Sequence, residues 1–266
     1  MSHRLILRKI CVSHLCNICV KYVQYYAPSH IRNKTMNLPS AYLTVPGLLK
    51  PMELDMINRV LSSARFEDGT ATATDAAKAV KRNLQLPKTG SLEKQQIDAI
   101  VMNAIVQSPL IQAALMPTRV LPPLISKYEP GMHYGMHVDS PIMGDPQVGA
   151  IRTDVGMTIF LSEPTSYEGG ELAIHTQANE QRYKLNPGDA IIYPTTQVHG
   201  VLPVTSGVRL AAVTWMQCAV RNAQQREMLF QLKTAQAVLE KQNPQGEENL
   251  LLLQVYSNLI RMWAEM

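Results

Sequence analysis

His137, Val138 and Asp139 are consecutive, and His199 follows about sixty positions later. In an extended segment residues i and i+2 project to the same side, so His137 and Asp139 can reach one ion together. His199 can supply a third donor from a neighbouring strand. Two imidazoles and one carboxylate on one face of an octahedron are the ligand set that holds non-haem ferrous iron. The opposite face stays open for a chelating keto acid and O2. Zinc would bind the same three groups but is disfavoured as the native metal. A lone His-x-Asp tripeptide is weak evidence, since it arises by chance on surface loops.

Arg209 strengthens the reading, because it follows His199 by ten positions in a run with strand character. Strand parity puts it on the side of Ala211, Val213 and Trp215. A guanidinium turned into an apolar interior is costly unless an anion meets it, and a carboxylate suits its planar fork. The distal carboxylate of 2-oxoglutarate is such an anion. Tyr128 either donates its hydroxyl to that co-substrate or serves as an amphipathic core residue. His133 is an extra histidine nearby. Pro130, Gly131 and Gly135 oppose a helix there, so it cannot form a helical zinc pair. His175 reads as structural, and Arg82 and Asn83 either line an entrance or end a solvated segment.

The elements that must carry these residues are β-type. From Leu124 to Gln217, short runs such as Thr158–Leu161, Glu171–His175, Gln181–Leu185, Ala190–Tyr193 and Arg209–Met216 alternate with Gly, Pro and Asn turns. Strands at that spacing suggest a sandwich or barrel. Before them, Ala41–Val45 has strand character, and apolar periodicity predicts helices over Lys50–Ala64 and Glu93–Gln107 with a short apolar piece at Ile111–Leu115. After Cys218, helices over Asn222–Gln242 and Glu247–Glu265 are separated by the breaker Asn243–Gly246. Their apolar stripe (Leu229, Leu232, Leu239, Leu251, Leu252, Leu259) is expected to pack on the β core or on a partner subunit, so a homo-oligomer is a candidate assembly. The expected organisation is an extension over 1–35, a helical part over 36–123, a β core over 124–218 and C-terminal helices over 219–266.

The chain of 266 residues carries 25 Lys and Arg against 21 Asp and Glu, for a formal charge of +4. The basic residues are scattered, which gives no footprint for nucleic acid. No apolar run reaches the length of a membrane-spanning helix. Three of the four cysteines (Cys11, Cys16, Cys19) lie in the first twenty residues and Cys218 stands alone, so a disulfide framework is not expected and a reducing cytoplasm is. A secretory signal at the amino end is disfavoured by Ser13, His14 and Asn17 and by the missing cleavage site. The Cys16–Cys19 pair lacks a second pair at zinc-finger spacing. Residues 1–35 are therefore expected to be a disordered extension upstream of a second candidate start at Met36.

The run Tyr128-Glu129-Pro130-Gly131-Met132-His133-Tyr134-Gly135-Met136-His137-Val138-Asp139 resembles the prolyl-4-hydroxylase-type signature. Asn83–Leu86, Arg152–Asp154, Phe160–Pro164, Tyr167–Leu172, Leu185–Asp189, the segment around Tyr193-Pro194 and His199, and Val220–Phe230 further resemble the bacterial PKHD-type hydroxylases, in order, from about Met36 onward. That resemblance implies an α+β protein with a double-stranded β-helix (jelly-roll) core. It implies Fe(II) at His137, Asp139 and His199, 2-oxoglutarate at Arg209, and L-ascorbate as the reductant that rescues oxidised iron. The implied reaction hydroxylates an unidentified peptidyl or small-molecule substrate while 2-oxoglutarate and O2 yield succinate and CO2. A link to iron uptake is also implied. The competing expectation is a cupin-like metal or small-ligand binding protein without oxygenase activity, which would not need Arg209.

Overall fold

Short β-branched and aromatic runs between tight turns become antiparallel strands, because each can bury one face and leave the turns in water. The computed structural model describes residues 42–72, 78–88, 91–176 and 179–265. The reading of residues 1–35 lies outside them. Two compact units are present: Tyr42–Ile105 with Arg119–Gln217, and Val106–Thr118 with the stretch from Cys218 onward.

The first unit holds two main sheets. The larger runs β1 (Leu43–Val45), β14 (Ala190–Pro194), β10 (Val155–Phe160), β17 (Arg209–Cys218), β6 (Leu124–Tyr128), β4 (Leu84–Gln85) and β2 (Glu67–Asp68), with β5 (Pro117–Val120) also paired to β17. The smaller runs β13 (Glu180–Tyr183), β12 (Leu172–His175), β15 (His199–Val201), β7 (His133–His137) and β3 (Lys81–Arg82). Two ribbons complete the set: β8 (Ile142–Asp145) with β9 (Gly149–Arg152), and β11 (Tyr167–Gly169) with β16 (Val204–Gly207).

The sheets face each other across a shared core. Phe160, Ile191 and Tyr193 come from the larger sheet, Leu172 and Ile174 from the smaller, and all five are almost fully buried. Interdigitation of two inner faces is the packing of a β-sandwich, and its non-sequential strand order makes this one a jelly roll. Helix α1 (Pro51–Ser63) turns Ile57 and Leu61 inward, and α2 (Leu92–Gln107) buries Ile97, Val101 and Ile105. The expected α+β jelly roll is therefore the observed fold.

The second unit is helical. Ser108 accepts a hydrogen bond from the Ile111 amide to start α3 (Pro109–Leu115), and Asn222 accepts from the Gln224 and Gln225 amides to start α4 (Ala223–Gln242). Helix α5 (Glu247–Trp263) returns beside α4. Met116, Val220 and Leu229 are buried together, flanked by Tyr256, Leu259, Ile260 and Trp263. Part of the sequence stripe packs within this unit. Leu229 and Leu259 join this cluster, whereas Leu251 is 61% exposed on the outer side of α5. Among the described residues no single helix is long and apolar enough to cross a membrane.

Candidate metal centre and anion pocket

Register brings the histidines together. In the smaller sheet His199, the first residue of β15, pairs directly with His137, the last of β7. Asp139 lies two residues beyond β7, on the side from which His137 projects. One donor atom from each of His137, Asp139 and His199 lies within 4.8 Å of the others. His137 Nε2 is 3.9 Å from Asp139 Oδ1, and His199 Nε2 is 3.6 Å from Asp139 Oδ2.

Both rings are held by their other nitrogen. His137 Nδ1 is 2.8 Å from the Gly135 carbonyl and His199 Nδ1 is 3.0 Å from the Gln197 carbonyl. A carbonyl only accepts, so each Nδ1 carries the proton and each Nε2 presents a lone pair to the same point. Asp139 Oδ2 is buried there and accepts no hydrogen bond. A buried carboxylate oxygen without a donor is costly, and a cation removes that cost. Gly156 leaves the room: a Cβ on it would come within 3.4 Å of Asp139 Oδ2 and 3.2 Å of the Tyr193 ring. The arrangement fits a divalent ion.

Burial first, and then the facing His199, pull the His137 pKa down to about 4. An unfolded histidine titrates near 6.5. Between those values the unfolded metal-free chain takes a proton that the folded chain refuses. Stability is therefore expected to be full above about pH 6.5 and to fall as the pH drops through this window, by on the order of 2 kcal/mol. Thermal melts of metal-free protein across that range check it, and His137→Gln should flatten the curve.

The second half of the site is on the opposite sheet. Arg209 opens β17 directly across from Tyr128 on β6, and only 1% of it is exposed. Its guanidinium lies 5.1 Å from the Tyr128 ring centre and 5.6 Å from that of Phe160, and Nε and Nη2 have no hydrogen-bond partner. The aromatic faces offset part of the cost of the buried charge. The unused donors leave a fork open to a carboxylate. The Tyr167 hydroxyl is likewise buried without a partner, in the electrostatic reach of Arg209. Burial pushes the Tyr128 and Tyr167 hydroxyls up, so both stay protonated donors.

Gly170 keeps this pocket open. Its φ of +67° is left-handed, and a Cβ would approach Val204 Cγ2 at 2.8 Å, Arg209 Cδ at 3.1 Å and the Tyr167 ring at 3.2 Å. Gly170→Ala is expected to cost about 2 kcal/mol of stability through the strained backbone and the clash. It should also displace Arg209, so urea unfolding and anion titration should both register it.

A cavity of 270 Å³ joins the two halves. His137, Asp139, Arg209 and Tyr128 line it, and so do Tyr134, Tyr193 and Trp215. The Tyr134 ring stacks on His137 at 3.7 Å, and Tyr193 lies 4.8 Å from His199 at a 58° tilt. Of the residues that sequence reasoning proposed for the centre, Tyr128, His137, Asp139 and Arg209 line this space, and His199 stands beside His137 and Asp139. His133 lies outside the donor group: its Nδ1 is 3.4 Å from the Gly131 carbonyl, and Arg82 pairs with it across β3 and β7. His175 pairs with Glu180 at 3.0 Å. Neither Arg82 nor Asn83 lines the cavity, whereas Lys81 and Gln85 beside them do.

Residues 123–217 match the family model of the 2OG-Fe(II) oxygenase superfamily, and residues 224–265 match that of the PKHD-type hydroxylase C-terminal domain. A PKHD-type hydroxylase of Synechococcus sp. (strain JA-2-3B'a(2-13)) is 42% identical over 224 residues, covering 84% of this chain and 99% of the relative. One of Pseudomonas putida (strain W619) is 40% identical over 226 residues with the same coverage. A solved prolyl hydroxylase from Trichoplax adhaerens is similar with a TM-score of 0.48 and 13% identity, covering 81% of this chain and 92% of that one. Iron and 2-oxoglutarate are the cofactor and co-substrate that the oxygenase superfamily implies. With relatives of this identity matched over nearly their whole length, the chain belongs to the PKHD-type hydroxylases, a family of 2OG-Fe(II) oxygenases.

Proposed function

We propose that His137, Asp139 and His199 hold Fe(II), that Arg209 with Tyr128 binds the far carboxylate of 2-oxoglutarate, and that the enzyme hydroxylates a substrate entering the same cavity. The observation that carries this reading is the pair of buried, unsatisfied groups facing that cavity: Asp139 Oδ2 wants a cation and the Arg209 fork wants an anion. A metal-binding fold without a co-substrate has no use for a fully buried arginine with free donors. Bound at the three side chains, ferrous iron supplies oxygen activation, coupled to oxidative decarboxylation of 2-oxoglutarate to succinate and CO2.

The chain's own residues orient and exclude. The Nδ1 bonds of the two histidines fix their lone pairs before metal arrives. The stacked Tyr134 and tilted Tyr193 wall the site from water. Arg209 and Tyr128 set the direction of the co-substrate from the opposite sheet. L-ascorbate is the reductant in this proposal, the substrate is peptidyl or a small molecule, and a role connected to iron uptake is part of it. We also propose a reducing cytoplasm as its compartment, in keeping with a buried Cys218 that forms no disulfide among the described residues, and a homo-oligomer formed through the C-terminal helices. Nucleic acid has no part in it.

Anaerobic titration of the protein with Fe(II) and 2-oxoglutarate tests the core of the proposal. A visible charge-transfer band that needs both components is expected. A folded wild-type protein that gives no band would leave the cupin-like reading as the better account.

A further inference from the structure

A tyrosine hydroxyl rotates to suit, so Tyr128 donates to a co-substrate only as well as its surroundings aim it. Its neighbours come from β4 and from β6 itself. Leu84 pairs with Lys127 and Gln85 with Ser126, and continuing that register by one step sets Asn83 across from Tyr128. Asn83 and Gln85 share strand parity, as do Ser126 and Tyr128, and all four are buried while Arg82 is exposed. Gln85 Nε2 donates to Ser126 Oγ at 3.2 Å.

Asn83 is the odd member of this group. It is the single residue between β3 and β4, where the chain leaves the smaller sheet for the larger. Only 4% of it is exposed, and neither Nδ2 nor Oδ1 of its carboxamide has a hydrogen-bond partner. A buried carboxamide with both atoms idle is costly and calls for an explanation. Burial dominates the Tyr128 hydroxyl and raises its pKa, while Arg209 and then the Asn83 side chain pull it down. An N–H aimed at the tyrosine oxygen has that sign, whereas an amide carbonyl accepting the proton would have the opposite one. Gly69 closes in on the other atom. Its amide donates to the Asn83 carbonyl at 2.9 Å, and a Cβ on it would overlap Oδ1. Oδ1 thus lies against Gly69, and Nδ2 is left to the tyrosine.

We propose, resting on the reading that Tyr128 and Arg209 bind the far carboxylate of 2-oxoglutarate, that Asn83 is the positioning residue for Tyr128. Its Nδ2–H donates to the Tyr128 oxygen as the co-substrate binds and turns the hydroxyl proton onto the carboxylate. Amide, hydroxyl and anion then form one chain in which each bond strengthens the next. The idle carboxamide gains its partner in that chain, so co-substrate binding removes the cost of burying it. Arg209 supplies the charge, and Asn83 the direction of the second donor.

The test reads the 2-oxoglutarate concentration that half-saturates the visible band of the full-length protein with Fe(II) in the absence of O2. Asn83→Leu is expected to raise it about fivefold. Thermal melts of the metal-free variant should show stability equal to wild type or greater, since leucine is of similar size and has no polar atom to satisfy. Tyr128→Phe should raise the half-saturating concentration about tenfold. Adding Asn83→Leu to it should change nothing further, because the amide has lost its oxygen. An unchanged concentration in Asn83→Leu overturns the proposal. So does a fivefold loss repeated on top of Tyr128→Phe, since Asn83 would then act without passing through the hydroxyl. A large loss of metal-free stability in Asn83→Leu would make the carboxamide a structural brace and overturn it too. Should that variant fail to fold, Gly69→Ala decides, because its methyl displaces the end of the same carboxamide. It is expected to weaken 2-oxoglutarate severalfold, and a wild-type value overturns the proposal. All of those failures leave the parent reading standing. No band in folded wild type, or a wild-type value in Tyr128→Phe, would instead overturn that reading and the role of Asn83 with it.

Discussion

Arg209→Met is expected to weaken 2-oxoglutarate binding about a hundredfold while leaving the apo protein as stable as before, or more so. The two effects come from one cause. The guanidinium is buried between Tyr128 and Phe160 with Nε and Nη2 unused, so in the absence of an anion it is a cost to the fold. A methionine of similar reach fills the space without that cost. With 2-oxoglutarate present, the wild type gains a charge-assisted fork of hydrogen bonds that the variant cannot make. Thermal melts with and without 2-oxoglutarate and Mn(II) check both halves. Wild type should shift upward with the co-substrate and the variant should not. A large loss of apo stability in Arg209→Met would mean that the arginine is a structural cation instead.

Asp139→Asn is the other change expected to have a large effect. It should lower divalent-metal affinity by about a thousandfold and remove the Fe(II)–2-oxoglutarate band. The amide keeps the shape of the carboxylate and loses the charge that a divalent ion needs between two neutral imidazoles. In the metal-free protein the same substitution should cost little, because Oδ2 has no hydrogen bond to lose. Calorimetric Mn(II) titration against unfolding of the apo form separates the two. Metal affinity within a few-fold of wild type would remove Asp139 from the ligand set.

How much of this could be read from the chain depends on the range of the information. His137 and Asp139 are legible because strand parity is local, and Arg209 because its parity with Val213 and Trp215 holds along β17. His199 is legible as a candidate, but its direct pairing with His137 depends on a register set by sheet assembly. The terminal helices are clear from periodicity and caps. Lys81 is not legible, since β3 is two residues long and acquires meaning only by pairing with Tyr134 across fifty positions of chain. The β8–β9 ribbon is equally hidden, because Pro141, Gly144, Pro146 and Gly149 make its sequence read as a loop. The apolar stripe of the terminal helices divides: Leu229 and Leu259 pack within the chain, and Leu251 is exposed on it.

The pairing of His137 with His199 has a consequence for how such a protein can diverge. Both proposed ligands are pinned by backbone pairing within one sheet, so a surface ribbon in the chain that runs between them can change length without moving either. The β8–β9 ribbon is part of that intervening chain, and its Met143, Gly144 and Asp145 overlook the cavity. Descendants of one ancestor could therefore inherit the metal centre intact and rewrite the ribbon above it. Kinship in this family would then be recorded in the sheet, and appetite for a particular substrate in the ribbon.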